Sequence, residues 1–246
     1  MTLLGKLKQY LGNKSKEIDP EKGYNIWAGS YDDQPDNLML ALDEAVFSTL
    51  LKELEPTGKT VVDVGCGTGR HWKKILDTNP KQLTGYDVSE GMLNMLQQKF
   101  PQAETHQLTD NKLFKTADNS CDIIISTLTM AHIENAKDAL QEWNRVLKPG
   151  GNIIITDYHP EVLKKGGQRT FKHDGKIVAV KNHIHSVEEL KAIGGQLYWA
   201  LERLTERKID DSVKAYYEKQ NALHVFESFK GMPVIYGLLF KKTDAA

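Results

Sequence analysis

Between Val61 and Arg70 the chain reads VVDVGCGTGR, an apolar, β-branched run that carries Asp63 and is followed by three glycines each separated by one residue. Glycine lets a backbone turn sharply and lets a ligand approach it closely. At the carboxyl edge of a parallel sheet, such a turn is where ligands bind. A dinucleotide fingerprint, G-x-G-x-x-G, would need glycine at position 70, where Arg70 stands; this argues against a pyrophosphate, although the G-x-G half is shared. Asp87 closes the stretch LTGYD, and a carboxylate at the end of the second strand accepts both hydroxyls of a ribose. The pattern implies a nucleoside whose tail is not a diphosphate. Two plainer readings stand beside it: the glycines could serve only a tight strand-to-helix turn, and Asp87 could cap the next helix, as Ser89 could. His183 and His185 in NHIHS alternate along one strand with no acid or cysteine cluster nearby, so no metal-ligand set is expected.

These residues need a scaffold, and the pattern of the chain supplies one. Strands are predicted at Thr60 to Gly65, Gln82 to Asp87, Glu104 to Leu108, Asp122 to Ser126 and Asn152 to Tyr158, alternating with helices at Arg70 to Thr78, Ser89 to Phe100 and Ala136 to Leu147. Such alternation gives a mostly parallel α/β sheet with helices on both faces. KPGG, Lys148 to Gly151, ends one helix and feeds the fifth strand. Beyond that strand, RTFKHDGKIVAVKNHIHS alternates around Asp174-Gly175, a turn pair that favours a tight hairpin.

Composition narrows the partners. The chain has 246 residues and a formal net charge of −1, so it lacks the basic excess of a nucleic-acid binder and fits a small-molecule partner. Its 2 cysteines, Cys66 and Cys121, form no C-x-x-C or secreted framework, and no signal peptide or spanning segment is visible. A reducing cytoplasm is the expected location. Leu3, Leu4, Leu7 and Leu11 recur at helical spacing beside Lys6, Lys8 and Lys14, which suits a membrane surface or a partner, but Glu17 and Asp19 and the short length favour packing or fraying.

VVDVGCGTGR, then GYDVSEGML, then TDNKLFKTADNSCDIIIS, then LKPGG resemble the successive motifs of class I S-adenosylmethionine-dependent methyltransferases, in order and spacing over about residues 20 to 160. GYNIWAGSYDD, Gly23 to Asp33, is similar to the aromatic leader of the ubiquinone/menaquinone-type branch. The resemblance implies a Rossmann-like seven-stranded, mostly parallel sheet flanked by helices, here with a β-hairpin inserted after the fifth strand. It implies S-adenosylmethionine as cofactor. Asp63 would then lie near its methionine end, Gly65 and Gly67 would allow close approach, and Cys66 would contribute backbone. Asp87 would take the ribose, Val88 and Met92 would pack on the adenine, and Asp110 would accept from the adenine amino group beside the backbone of Asn111. Thr127 would face the amino acid moiety, with Tyr24 and Tyr31 closing over the same end. Asp110 with Asn111 also reads as an ordinary turn, and Met92 and Trp27 as core.

Methyl transfer from a sulfonium is an in-line displacement in which alignment supplies much of the rate. A base is needed only if the acceptor must lose a proton, and histidine then fits because it titrates near neutrality. His132, in TLTMAHIEN, stands where related enzymes border cofactor and substrate, and His159, after the fifth strand in DYHP, is the second candidate. Phe171, Ile177, Val180 and His183 of the hairpin are candidate walls of an acceptor pocket, against the alternative of a peripheral hairpin. The expected organisation is a helical leader and cofactor lid over residues 1–57 and a methyltransferase domain over 58–246, whose hairpin at about 160–186 covers the acceptor. GQLYWALERLTERKI and GMPVIYGLLFKK, around a helical stretch at Ser212 to Leu223, resemble the antiparallel strand pair of the same family. The reading is a small-molecule methyltransferase. A noncatalytic S-adenosylmethionine-binding sensor or structural protein is the alternative, and Arg70 weighs against a nicotinamide oxidoreductase.

Overall fold

The computed structural model describes residues 17–34 and 36–244, so the leucine-rich start of the leader lies outside the described residues. In chain order its elements are β1 (Glu17–Ile18), α1 (Pro20–Trp27), α2 (Leu38–Leu51), β2 (Thr60–Val64), α3 (Trp72–Leu76), β3 (Gln82–Asp87), α4 (Glu90–Lys99), β4 (Glu104–Gln107), β5 (Cys121–Thr127), α5 (Ala136–Val146) and β6 (Leu147–Tyr158). There follow α6 (Pro160–Lys164), β7 (Arg169–His173), β8 (Lys176–Val180), α7 (Val187–Gln196), β9 (Trp199–Lys208), α8 (Lys214–Glu218), α9 (Leu223–Phe229) and β10 (Pro233–Lys242).

Seven strands form one sheet in the order β4-β3-β2-β5-β6-β10-β9, with β4 through β6 parallel and β10 antiparallel to both its neighbours. Val61, Val62, Ile123, Ile124 and Ile125 are all buried, as central strands covered on both faces require. Alternate residues feed opposite cores: Val61, Ile123 and Ile125 pack with α2 on one face, Val62 and Ile124 with Trp143 of α5 on the other. β4, ETHQ, is half-exposed and ends the sheet. Local signals start the helices. Asn37 Oδ1 accepts from Met39 N and Leu40 N at 3.0 and 3.3 Å to cap α2, Ser89 Oγ accepts from Met92 N to cap α4, and Ser186 and Glu189 close a capping box on α7.

Three features differ from the sequence expectation. α2 is not part of a lid: its residues Val46, Phe47 and Leu50 join the main core, and a Cβ on Gly237 of β10 would lie 2.4 Å from Val46 Cγ1, so helix and strand touch closely. Of the leader, Asp19, Pro20, Glu21, Tyr24 and Tyr31 line the cavity described below. The helix expected at Ser212 to Leu223 is split into α8 and α9, because Asn221 takes a left-handed backbone with φ 52° between them. β6 begins at Leu147, so KPGG lies inside the strand, bulged out between the pairs Cys121–Leu147 and Ile123–Asn152. Arg169–His173 and Lys176–Val180 form an antiparallel hairpin that meets β1 in a second sheet of order β1-β8-β7.

Candidate cofactor and acceptor site

A cavity of about 670 Å³ opens at the carboxyl ends of β2, β3 and β5. Gly65, Gly67 and Gly69 all have positive φ, and Gly65 N and Cys66 N both donate to Tyr86 O at 2.7 and 3.1 Å, folding the loop over the end of β3. The first two glycines serve different ends. A Cβ on Gly65 would fall 2.0 Å from Thr129 Oγ1, so that position is fixed by the protein's own packing, whereas a Cβ on Gly67 would meet nothing within 4 Å.

Asp87 closes β3, its Oδ2 accepting from Gly67 N and its Oδ1 from Ser89 N, each at 2.8 Å. Each oxygen keeps a second lone pair, so holding the loop and accepting from a diol are compatible. Burial pushes its pKa up. Asp63 accepts from Trp72 Nε1 through Oδ2 at 2.9 Å, while Oδ1, also buried, has no hydrogen-bond partner among the described residues. Burial pushes the Asp63 carboxyl up to about 6 against the pull of Trp72. A buried carboxylate oxygen without a partner costs free energy that a cationic donor would recover.

The sequence-predicted cofactor residues Tyr24, Tyr31, Asp63, Gly65, Cys66, Gly67, Asp87, Val88, Met92, Asp110, Asn111 and Thr127 all line this cavity, and so does His132. Burial raises the Cys66 thiol well above its usual range, so it offers backbone rather than a thiolate. Asp110 is exposed and accepts from Lys112 N at 2.8 Å, so the ordinary turn and the lining position coexist. Met92 both lines the cavity and packs with Trp27, Phe171 and Val180.

His159 is not brought to the cavity. Its Nδ1 accepts from Glu161 N at 3.2 Å, capping α6, and its Nε2 lies 3.1 Å from Glu206 Oε1 of β9. Nor do Phe171, Ile177, Val180 and His183 line it. Phe171 stacks on Trp27 with ring centroids 4.8 Å apart, and His183 N donates to Ala131 O, so the hairpin braces the leader from behind. His185 Nε2 is bonded to Ile133 O at 2.7 Å.

Three residues that the sequence reading passes over hold the site. Asn25 Oδ1 accepts from Ser89 Oγ and Gly91 N, both at 2.8 Å, seating α1 on the start of α4. Fully buried Asp43 accepts from Arg70, His71 and Thr156, and Arg70 and His71 line the cavity. Burial alone would raise the Asp43 pKa, but the His71 hydrogen bond and the Arg70 charge outweigh it and hold it at about 2. Arg169, at the start of the hairpin, pairs with Asp157 and reaches His132 Nε2. Only Asp43 left a trace, a charge inside the apolar run LMLALDEAVFSTLL.

A methyltransferase-domain family profile matches residues 62–155, the stretch that carries the glycine loop, Asp87 and Asp110. Over that stretch the chain carries a methyltransferase domain, and the relatives and solved structures it is similar to include S-adenosylmethionine-dependent methyltransferases. Among curated relatives, it is similar to the biotin biosynthesis bifunctional protein BioHC of Teredinibacter turnerae, 27% identical over 186 residues that cover 71% of this chain and 31% of that one. It is also similar to the demethylmenaquinone methyltransferase of Bacteroides fragilis, 29% identical over 161 residues that cover 62% of this chain and 65% of that one. The matches thus span less than two thirds of either relative. In fold it resembles an S-adenosylmethionine dependent methyltransferase from Mesorhizobium loti, with a TM-score of 0.62 at 19% identity, covering 80% of this chain and 97% of that one. The methyltransferase fold accounts for the cavity's place at the carboxyl edge, and S-adenosylmethionine is the cofactor of the family.

Proposed function

We propose that this methyltransferase moves the methyl group of S-adenosylmethionine to a small-molecule acceptor by in-line displacement. The observation that carries the reading is Asp63 Oδ1, a buried carboxylate oxygen without a partner in the same cavity as Asp87 and the open face of Gly67. An α-amino group fits the first, a ribose diol the second and a close-approaching nucleoside the third. When bound, the cofactor supplies an electrophilic methyl on a sulfonium. The chain's own part is to grip it through Asp63, Asp87 and the 65–69 loop, and to exclude water with residues 17–34. Val88 and Met92 flank the adenine, Asp110 and Asn111 bound its edge, and Thr127 stands at the methionine end.

The demethylmenaquinone methyltransferase relative supports a small organic acceptor, and the net charge of −1 supports one other than nucleic acid. No helix among the described residues is long and apolar enough to cross a membrane, and Cys66 and Cys121 are free and buried, which suits a reducing cytosol. Titration calorimetry with S-adenosylhomocysteine tests the grip, and turnover of methyl-labelled cofactor against small acceptors tests the activity. Binding that is tight in the wild type and weakened in Asp63→Asn is expected. No binding in the wild type ends the reading; binding with no turnover on any acceptor leaves the sensor alternative in its place.

A further inference from the structure

His132 presents one lone pair to two donors. Its Nδ1 lies 2.8 Å from Lys181 O, which can only accept, so Nδ1 carries the ring hydrogen and Nε2 is the acceptor. The Tyr24 hydroxyl sits 2.8 Å from Nε2, and Arg169 Nη1 contacts the same atom. A guanidinium always donates. Burial, the Arg169 charge and the nearby His183 hold the His132 pKa well below its usual value, so Nε2 stays unprotonated. Two donors on one lone pair leave one hydrogen in surplus.

Geometry decides which. Arg169 is buried and fixed, with Nη2 on Asp157 and its plane 4.4 Å from the Tyr158 ring centroid, and it does not line the cavity. Tyr24 does line it, and its hydroxyl hydrogen turns about the C–O bond. Burial raises the Tyr24 pKa, so the phenol keeps its proton and remains a donor. When that hydrogen turns into the cavity, Arg169 still satisfies Nε2, and no buried group loses its partner.

We infer that Tyr24 holds the methyl acceptor, and that this acceptor is an oxygen acid bound as its anion, a carboxylate or a phenolate, whose oxygen accepts from the Tyr24 hydroxyl. The inference rests on the methyl-transfer reading above. The acceptor oxygen forms its bond to the methyl carbon as the carbon–sulfur bond breaks and the electron pair leaves with sulfur. Anion and sulfonium become two neutral products, and no proton moves. His132 is then a positioning residue that acts through Tyr24, and a general base is not required.

The test uses the S-adenosylhomocysteine complex of the full chain, with 4-nitrophenol and benzoate as separate probes. The absorbance of 4-nitrophenol distinguishes its phenolate from its phenol. Wild type is expected to bind at least one anion, and bound 4-nitrophenol should ionise about one pH unit lower than free, as one charge-assisted hydrogen bond gives. Tyr24→Phe, which retains the ring against Trp27, should abolish that shift and weaken the anion about tenfold, beyond any change in S-adenosylhomocysteine affinity measured alongside. With an acceptor that turns over, His132→Ala should lower kcat while the pH profile keeps following the ionisation of the acceptor. Binding of 4-nitrophenolate alone assigns a phenol, and of benzoate alone a carboxylic acid. Neither anion binding, preference for the neutral phenol, Tyr24→Phe binding as wild type does, or a neutral-pH limb lost in His132→Ala would overturn the inference. Failure to bind S-adenosylhomocysteine would instead remove the methyl-transfer reading.

Discussion

On the sheet side of the cavity, ligand-facing groups are fixed largely by backbone. Gly67 N holds Asp87, Gly65 N and Cys66 N hold the end of β3, and Thr129 leaves no room for a side chain at position 65. On the leader side, the fixings are side chains reaching across long stretches of sequence: Asn25 to Ser89 and Gly91, Thr68 to Asp32, Arg70 to Asp43, Tyr24 to His132. A backbone-built wall takes one geometry, which under the proposed function suits a cofactor that does not vary. A wall built from side chains can be rewritten residue by residue, which under the same proposal suits a variable acceptor.

The largest expected effect tests the sheet side. Gly67→Val puts a β-branched side chain into the cavity at φ +54°, so calorimetry should find S-adenosylhomocysteine binding abolished while circular dichroism shows the fold retained. Gly65→Val should instead lower Tm, because its clash is with Thr129. Next comes the deepest fixing beneath the leader. Asp43→Ala strands His71 and the Thr156 hydroxyl in the interior and should cost about 2–5 kcal/mol of stability, read as a Tm fall on the order of 10 °C. Unchanged Tm would show that the leader side does not depend on that pair.

Asp87→Ala should weaken S-adenosylmethionine by about 1.5–3 kcal/mol, roughly 10- to 100-fold, and unchanged affinity in a folded variant would remove Asp87 from the ribose site. A pH titration probes Asp63, whose carboxyl is raised to about 6 from 3.8. Its ionised form is disfavoured by folding, so this group destabilises the fold above pH 6 and that penalty fades as pH falls toward 3.8. Ligand binding has the opposite sign, since an amino group requires the carboxylate. Affinity for S-adenosylhomocysteine should fall about tenfold from pH 7.5 to pH 5, and Asp63→Asn should flatten that slope. The smallest effect belongs to the leader. Asn25→Ala loses the acceptor for Gly91 N and should cost about 1 kcal/mol, a Tm fall of about 2–4 °C.

The same division explains what could be read from the sequence. The strands TVVDV and CDIIIST and the glycine loop after Val64 are local statements, so the sheet and the cavity-lining Asp63, Gly65, Gly67 and Asp87 follow from neighbours in the chain. His159 shows the limit: it follows Tyr158 as expected, but Glu206, far along the chain in β9, takes its ring away from the cavity. α2 is apolar nearly all round, so LMLALDEAVFSTLL has no amphipathic period to separate a core helix from a lid. Arg169 looks like a solvated charge at the start of a hairpin, and only the approach of β6 makes it a buried partner of Asp157.

β10 lies between β6 and β9, although residues 233–242 are the last strand in the chain. On the ribosome, α2 emerges early and waits nearly 200 residues for the strand whose Gly237 receives Val46 and Leu50. Until then the side of α2 that meets Gly237 has no cover, although Val61, Ile123 and Ile125 already pack on the helix, and β6 lacks its antiparallel neighbour. A chain stalled before Pro233 therefore lacks the strand that joins β6 to β9 and is a substrate for chaperones rather than a smaller domain with a complete sheet.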